Sequence, residues 1–108
     1  ALLGFAVTCT VPPALPGGVV KETHQVVCAG ERVTVDFYFQ PGAPPRPQVV
    51  VAHGFTRSRR YMAGWGMALA ERGMIAAVPT QPRLAAHVRN GRALAALVEQ
   101  GRAGQWPV

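Results

Sequence analysis

The chain is poor in the residues from which catalytic and metal sites are usually built. Its 108 residues include one serine, one aspartate, two cysteines and three histidines. Cys9 and Cys28 lie too far apart for a Cys-x-x-Cys metal site, and no two of His24, His53 and His87 share a ligand spacing. No metal is therefore expected. The two cysteines leave two readings open, one disulfide in an exported protein or two unrelated thiols, and the second is preferred. Ser58 sits in Thr-Arg-Ser-Arg-Arg with no flanking glycines, so it is expected to cap a helix rather than to act as a nucleophile. Gly64-Trp65-Gly66 lacks the spacing of a dinucleotide fingerprint and falls inside a helical pattern, so no nucleotide or other cofactor is expected. No apolar run is long enough to span a membrane.

Lysine is nearly absent too. Ten of the eleven basic residues are arginine, and five acids leave a formal charge of +6. Such a balance suits nucleic acid, an anionic surface or simple solubility. The arginines are scattered, however, with only Arg57, Arg59 and Arg60 clustered and no aromatic residues interleaved, so nucleic-acid binding is not expected. Those three could select an anionic substrate, but a solvated helix start is the simpler expectation. Glu71 and Glu99 are likewise expected on solvated helix faces.

What is present is enough apolar sequence, 49% of residues, for one compact core and too little for two. Residues 1–18 read as a leader. Ala1 to Val7 resembles the end of a signal-peptide apolar region, and the Pro/Gly-rich stretch after it reads as extended chain. A secreted or periplasmic location is the expectation, with the cytoplasm still open.

Residues 19–108 carry the folded pattern. Val19 to Cys28 and Arg32 to Gln40 are strand-like, with Ala29-Gly30-Glu31 between them at a length suited to a hairpin. In the second strand Val33, Val35, Phe37 and Phe39 form one strongly apolar face, and Thr34, Asp36 and Tyr38 the other. A Pro-rich loop leads to Val49-Val50-Val51-Ala52, an uninterrupted apolar run that reads as a strand buried on both faces. Thr56 to Arg60 offers hydroxyl caps for a helix whose Met62, Trp65, Gly66 and Leu69 fall on one side, with Gly73 as its stop. Met74 to Val78 reads as another buried strand, closed by Pro79. Pro82 suits a first helical turn, and Leu84, Val88, Gly91, Leu94, Ala95 and Val98 give an apolar stripe ending at Gly101. The order is an antiparallel pair followed by parallel β-α-β-α, an α/β architecture whose crossover makes its two later strands parallel.

The apolar run ends at His53-Gly54-Phe55, where the backbone must turn. Strand, His-Gly-aromatic and following helix together resemble the third-strand region of an α/β-hydrolase, in motif over 49–60 and in architecture over about 19–105. The resemblance implies that the Phe55 amide donates into an oxyanion hole, that Gly54 allows the close approach, and that His53 supports the loop rather than serving as base. In that family the nucleophile, acid and base follow in the order Ser, Asp or Glu, His, which puts Asp36 in the wrong place for a triad acid. No catalytic triad residue is assigned. The expectation is the N-terminal, truncated part of a serine carboxylic-ester hydrolase of lipase, cutinase or dienelactone-hydrolase character, inactive alone, whose full-length form takes a small-molecule ester. The alternative is a non-catalytic α/β binding or interaction module. Without the strand that carries the nucleophile, Val49 to Val51 is expected to lie at an unpaired sheet edge.

Overall fold

The computed structural model describes residues 18–42, 47–52, 62–80 and 87–108. Their elements are β1 (Val20–Cys28), β2 (Glu31–Phe39), β3 (Gln48–Val50), α1 (Ala63–Glu71), β4 (Ile75–Pro79) and α2 (His87–Arg102). They form one four-stranded sheet in the order β1-β2-β4-β3, antiparallel except for the β3/β4 pair, which is parallel as a crossover connection requires. This is the expected antiparallel pair followed by β-α-β-α.

The hairpin is tighter than the sequence suggests, because Glu31 already pairs with Cys28. Only Ala29 and Gly30 turn the chain, at φ 51° and 78°. Two successive positive φ values match the strand twist of a two-residue hairpin, and the alanine accepts the left-handed region at a cost of about 1 kcal/mol.

Alternation along β2 divides the core into two layers. Val33, Val35, Phe37 and Phe39 face α2 together with Val20, Cys28, Ala77, Ala93, Leu97 and Trp106. Tyr38 faces the other way, with Val19, Ala70, Ala76 and Val78 beneath α1. Cys28 is a buried free thiol whose Sγ approaches Gln100 Oε1 at 3.9 Å.

α1 turns inward the face its spacing predicts at Met62, Gly66 and Leu69 but not at Trp65, whereas α2 turns a different face. In α1 the buried residues are Gly66 and Ala70, while Trp65 is 64% exposed. A Cβ on Gly66 would stand 2.4 Å from the Tyr38 ring, so the helix presses its barest position onto the tyrosine. The segment is apolar nearly all round, so periodicity places Met62, Gly66 and Leu69 correctly but does not exclude Trp65. Its start also differs, since the cap position is Met62, with no side-chain cap bond. Thr56 and Ser58 lie outside the described residues. Gly73, at φ 88°, ends the helix as expected, donating to Ala70 O at 3.0 Å.

In α2 the inward face is Asn90, Ala93, Leu97 and Gly101, whereas Val88 and Val98 of the predicted stripe are 68% and 40% exposed. Trp106 explains the rotation. It folds back over Gly101, donates Nε1–H to Leu97 O at 2.9 Å and meets Phe37 at a centroid distance of 5.3 Å. The helix therefore continues past Gly101 to Arg102 and is closed by the turn at Gly104, φ 74°, where Gln105 N donates to Gln100 O at 2.8 Å.

Pro79 is the last residue of β4 and pairs with Val35 instead of merely following the strand. Val49, Val50 and Val51 are half-buried and Gln48 and Ala52 exposed, not buried on both faces, because among the described residues β3 has a neighbouring strand on one side only.

Two substitutions on the same helix separate packing from propensity. Gly66→Ala should destabilise the fold by about 1 to 3 kcal/mol through overpacking against Tyr38. Gly64→Ala, with nothing within 4 Å of the new Cβ, should be neutral or stabilising by up to about 1 kcal/mol. Urea denaturation of both variants measures the contrast.

Candidate active site

In an open α/β sheet, ligands bind beyond the carboxyl ends of the parallel strands. Here those ends belong to β3 and β4 and lie on one edge. Pairing persists to the end of β3, where Val51 N donates to Ala77 O at 2.9 Å. The chain leaves at Ala52, directly before His53-Gly54-Phe55. Beside it, β4 leaves through Thr80, whose amide donates to Thr34 O of β2 at 2.9 Å. His53, Gly54 and Phe55 themselves, together with Arg57, Ser58, Arg59 and Arg60, lie outside the described residues, as does Cys9.

A polar group that sequence reasoning set aside stands near this edge. Asp36 is paired with Val78, one residue before the end of β4, and is 1% exposed. Thr23 Oγ1 donates to its Oδ1 at 2.6 Å, and Lys21 Nζ lies 3.8 Å from Oδ2. Lys21 also stands 6.0 Å from the Tyr38 ring centroid. A buried carboxylate demands such partners, since an uncompensated charge in a low-dielectric layer is costly. The hairpin register makes this arrangement, because the two-residue turn puts Thr23 directly opposite Asp36. Recognising that turn in the sequence would have exposed the pair.

Other ionisable residues serve local contacts. His24 Nε2 lies 2.9 Å from Glu22 Oε1, and its ring meets Phe37 edge-on at 5.8 Å. Arg89 binds Glu31 at 2.9 Å, tying α2 to the start of β2, and Arg102 pairs with Glu99 at 3.6 Å. Glu71 is exposed near the end of α1. Among the described residues no three His, Cys, Asp or Glu side chains are grouped to hold a metal. No helix among them is long and apolar enough to cross a membrane. A groove of about 230 Å³ lined by Gln48, Val50, Val98, Arg102 and Trp106 lies beside the start of β3.

No protein-family model and no curated protein matches the chain. Solved structures do. An epoxide hydrolase from Vigna radiata aligns at a TM-score of 0.61 with 19% identity, over 76% of this chain and 29% of that one. Epoxide hydrolase A from Mycobacterium thermoresistibile gives 0.63 and 22%, over 75% of this chain and 28% of that one. An epoxide hydrolase from an endophytic Streptomyces gives 0.56 and 24%, over 76% and 26%. At these identities the likeness concerns the fold. The chain has the α/β-hydrolase fold, as the N-terminal part of its sheet, and spans under a third of the length of the structures it matches.

Two measurements check the polar groups. Asp36→Ala should cost about 1 to 3 kcal/mol of stability, and a double-mutant cycle with Thr23→Val should return a coupling of about 1 kcal/mol. Burial pushes the Cys28 thiol above its ordinary range. The unfolded thiol ionises first, near about pH 8.5, so the folded state then holds more protons and stability falls as pH rises beyond that value. Cys28→Ser should remove this component from denaturation midpoints measured across alkaline pH.

Proposed function

We propose that the chain is the oxyanion side of a hydrolase acting on carboxylic esters. One observation carries this reading: β3 runs parallel to β4 and leaves the sheet at its carboxyl edge immediately before His53-Gly54-Phe55. In the reaction a serine Oγ attacks the ester carbonyl carbon while a histidine takes the serine proton. The C=O π electrons move to oxygen, and the Phe55 N–H donates to the resulting oxyanion. A backbone donor suits this role because its position is set before substrate arrives. Gly54 keeps a side chain out of the approach, His53 holds the loop, and the Phe55 ring lines the acyl or alcohol pocket.

Ser58, the only serine here, lacks the flanking glycines of a nucleophile elbow, so nucleophile, acid and base belong to sequence outside residues 1–108. The chain by itself is inert. Residues 1–18 act as an export leader, and the whole enzyme works outside the cytoplasm. The solved neighbours favour a second reading, hydrolysis of an epoxide, since those cited above are epoxide hydrolases. The two differ in the group attacked, a planar carbonyl carbon or a strained ring carbon.

The chain should show no p-nitrophenyl ester turnover above background. Turnover abolished by Ser58→Ala would overturn the inert reading. In a longer chain that supplies the nucleophile, Phe55→Pro deletes the donor N–H and should lower ester kcat by about 10² to 10³-fold with little change in KM. Hydrolysis of styrene oxide but not of esters by that longer chain would favour the epoxide reading.

A further inference from the structure

Asp36 is the buried carboxylate that the proposed chemistry leaves unused. It is 1% exposed, whereas its Lys21 partner is 43% exposed and stands off at 3.8 Å. Thr23 supplies a neutral hydroxyl, and Asp36 has a further polar interaction besides these two. A carboxylate this deep is held by close, charge-assisted bonds, for which the arginine fork is well matched.

Register places this carboxylate beside the entry to α1. Asp36 pairs with Val78, and the parallel ladder that sets Val50 against Ala77 carries on to Val51 beside Val78. Thr23, Asp36, Val78 and Val51 thus form one row across the sheet, on the face beneath α1. Gly66 rests on Tyr38, two residues along β2 from Asp36. Two strand residues span about 6.8 Å, and the four helix residues from Gly66 back to Met62 span about 6 Å. Both steps lead toward the carboxyl edge, so the start of α1 is level with Asp36, and Met62 and Val51 pack on the same cluster as Val78. Charge then singles out one pairing. Of the five acids, Glu22 meets His24, Glu31 meets Arg89, Glu99 meets Arg102, and Glu71 is at the far end of α1. Asp36 is the one acid at the level where α1 begins, and the sequence leading into Met62, residues 53–61, holds Arg57, Arg59 and Arg60 and no acid.

We propose that Asp36 is a positioning residue for the oxyanion turn, its carboxylate taking the guanidinium of Arg60. The purpose of the pairing rests on the ester-hydrolase reading above; the pairing itself does not. Val51 is held at one end by its bond to Ala77 O, and Arg60 at the other by Asp36. The turn that carries the Phe55 N–H is then fixed at both ends before substrate arrives, which is what a backbone oxyanion donor requires. Arg60 in this arrangement serves the sheet, in place of the solvated helix start that the sequence suggests for the whole cluster.

Solvent exchange of arginine Nε–H groups in the isotopically labelled chain reads the pairing without any turnover. Arg60 should be protected relative to Arg57 and Arg59, and Asp36→Asn should remove that protection. In urea, Asp36→Asn and Arg60→Gln should each lower the midpoint, and together they should lower it no further than the larger single effect. Protection that falls on Arg83 or another arginine instead of Arg60, or strictly additive midpoints, overturns the pairing. In a longer chain that supplies the nucleophile, Asp36→Asn should lower ester kcat by up to about 10²-fold with KM little changed. The same substitution should cost nothing more once Phe55→Pro has removed the donor, and an undiminished loss in that background overturns the positioning role. Arg60 protection together with no ester turnover by the unsubstituted longer chain upholds the pairing and overturns the ester reading alone.

Discussion

The structure depends on the two hydrogen-bond ladders of β4. On one side it pairs antiparallel with β2, and on the other parallel with β3. Its central residues, Ala76 and Ala77, are fully buried and face opposite layers. Small side chains at this position let both layers close over the strand without strain, which matters because interiors pack at near-crystalline density. Were β4 absent, β3 would have no strand partner among the described residues and its exit toward His53 would have no fixed direction.

The two layers solve packing differently. On one face the α1 backbone comes close enough at Gly66 to rest on Tyr38, and the hydroxyl-bearing ring shares that face with the buried Asp36 network. On the other, Trp106 closes over Gly101 and reaches Phe37, so the last residues of the described chain complete the larger cluster. Both contacts replace a Cβ with an aromatic ring. On α2, Ala93, Leu97 and Gly101 go in while Val88 and Val98 remain outside.

Much of this was legible in the sequence, and for local reasons. Alternation in Val33 to Phe39 marks a strand between two layers, Ala29-Gly30-Glu31 marks a turn, and Gly73 marks a helix stop. Two hydrophobic runs separated by a helix-length segment imply a parallel pair. The inward face of α1 was legible except for Trp65, since that helix is apolar nearly all round, whereas the face of α2 was not, because the helix is turned by Trp106, a residue beyond its own periodic pattern. The Thr23–Asp36 contact depends on a register one residue tighter than the apparent loop. Of the candidate site, the strand that delivers the motif and the edge it reaches are described, whereas His53, Gly54 and Phe55 rest on their likeness to a family pattern. The choice between ester and epoxide depends on a nucleophile these residues do not supply.

The parallel pairing of β3 with β4 is the claim from which the site's position follows. Through-hydrogen-bond scalar coupling in the isotopically labelled chain measures it directly. Magnetisation should pass from the Val51 amide nitrogen to the Ala77 carbonyl carbon, and from the Ile75 nitrogen to the Pro47 carbonyl. Couplings in an antiparallel register, or none between these strands, would contradict the account.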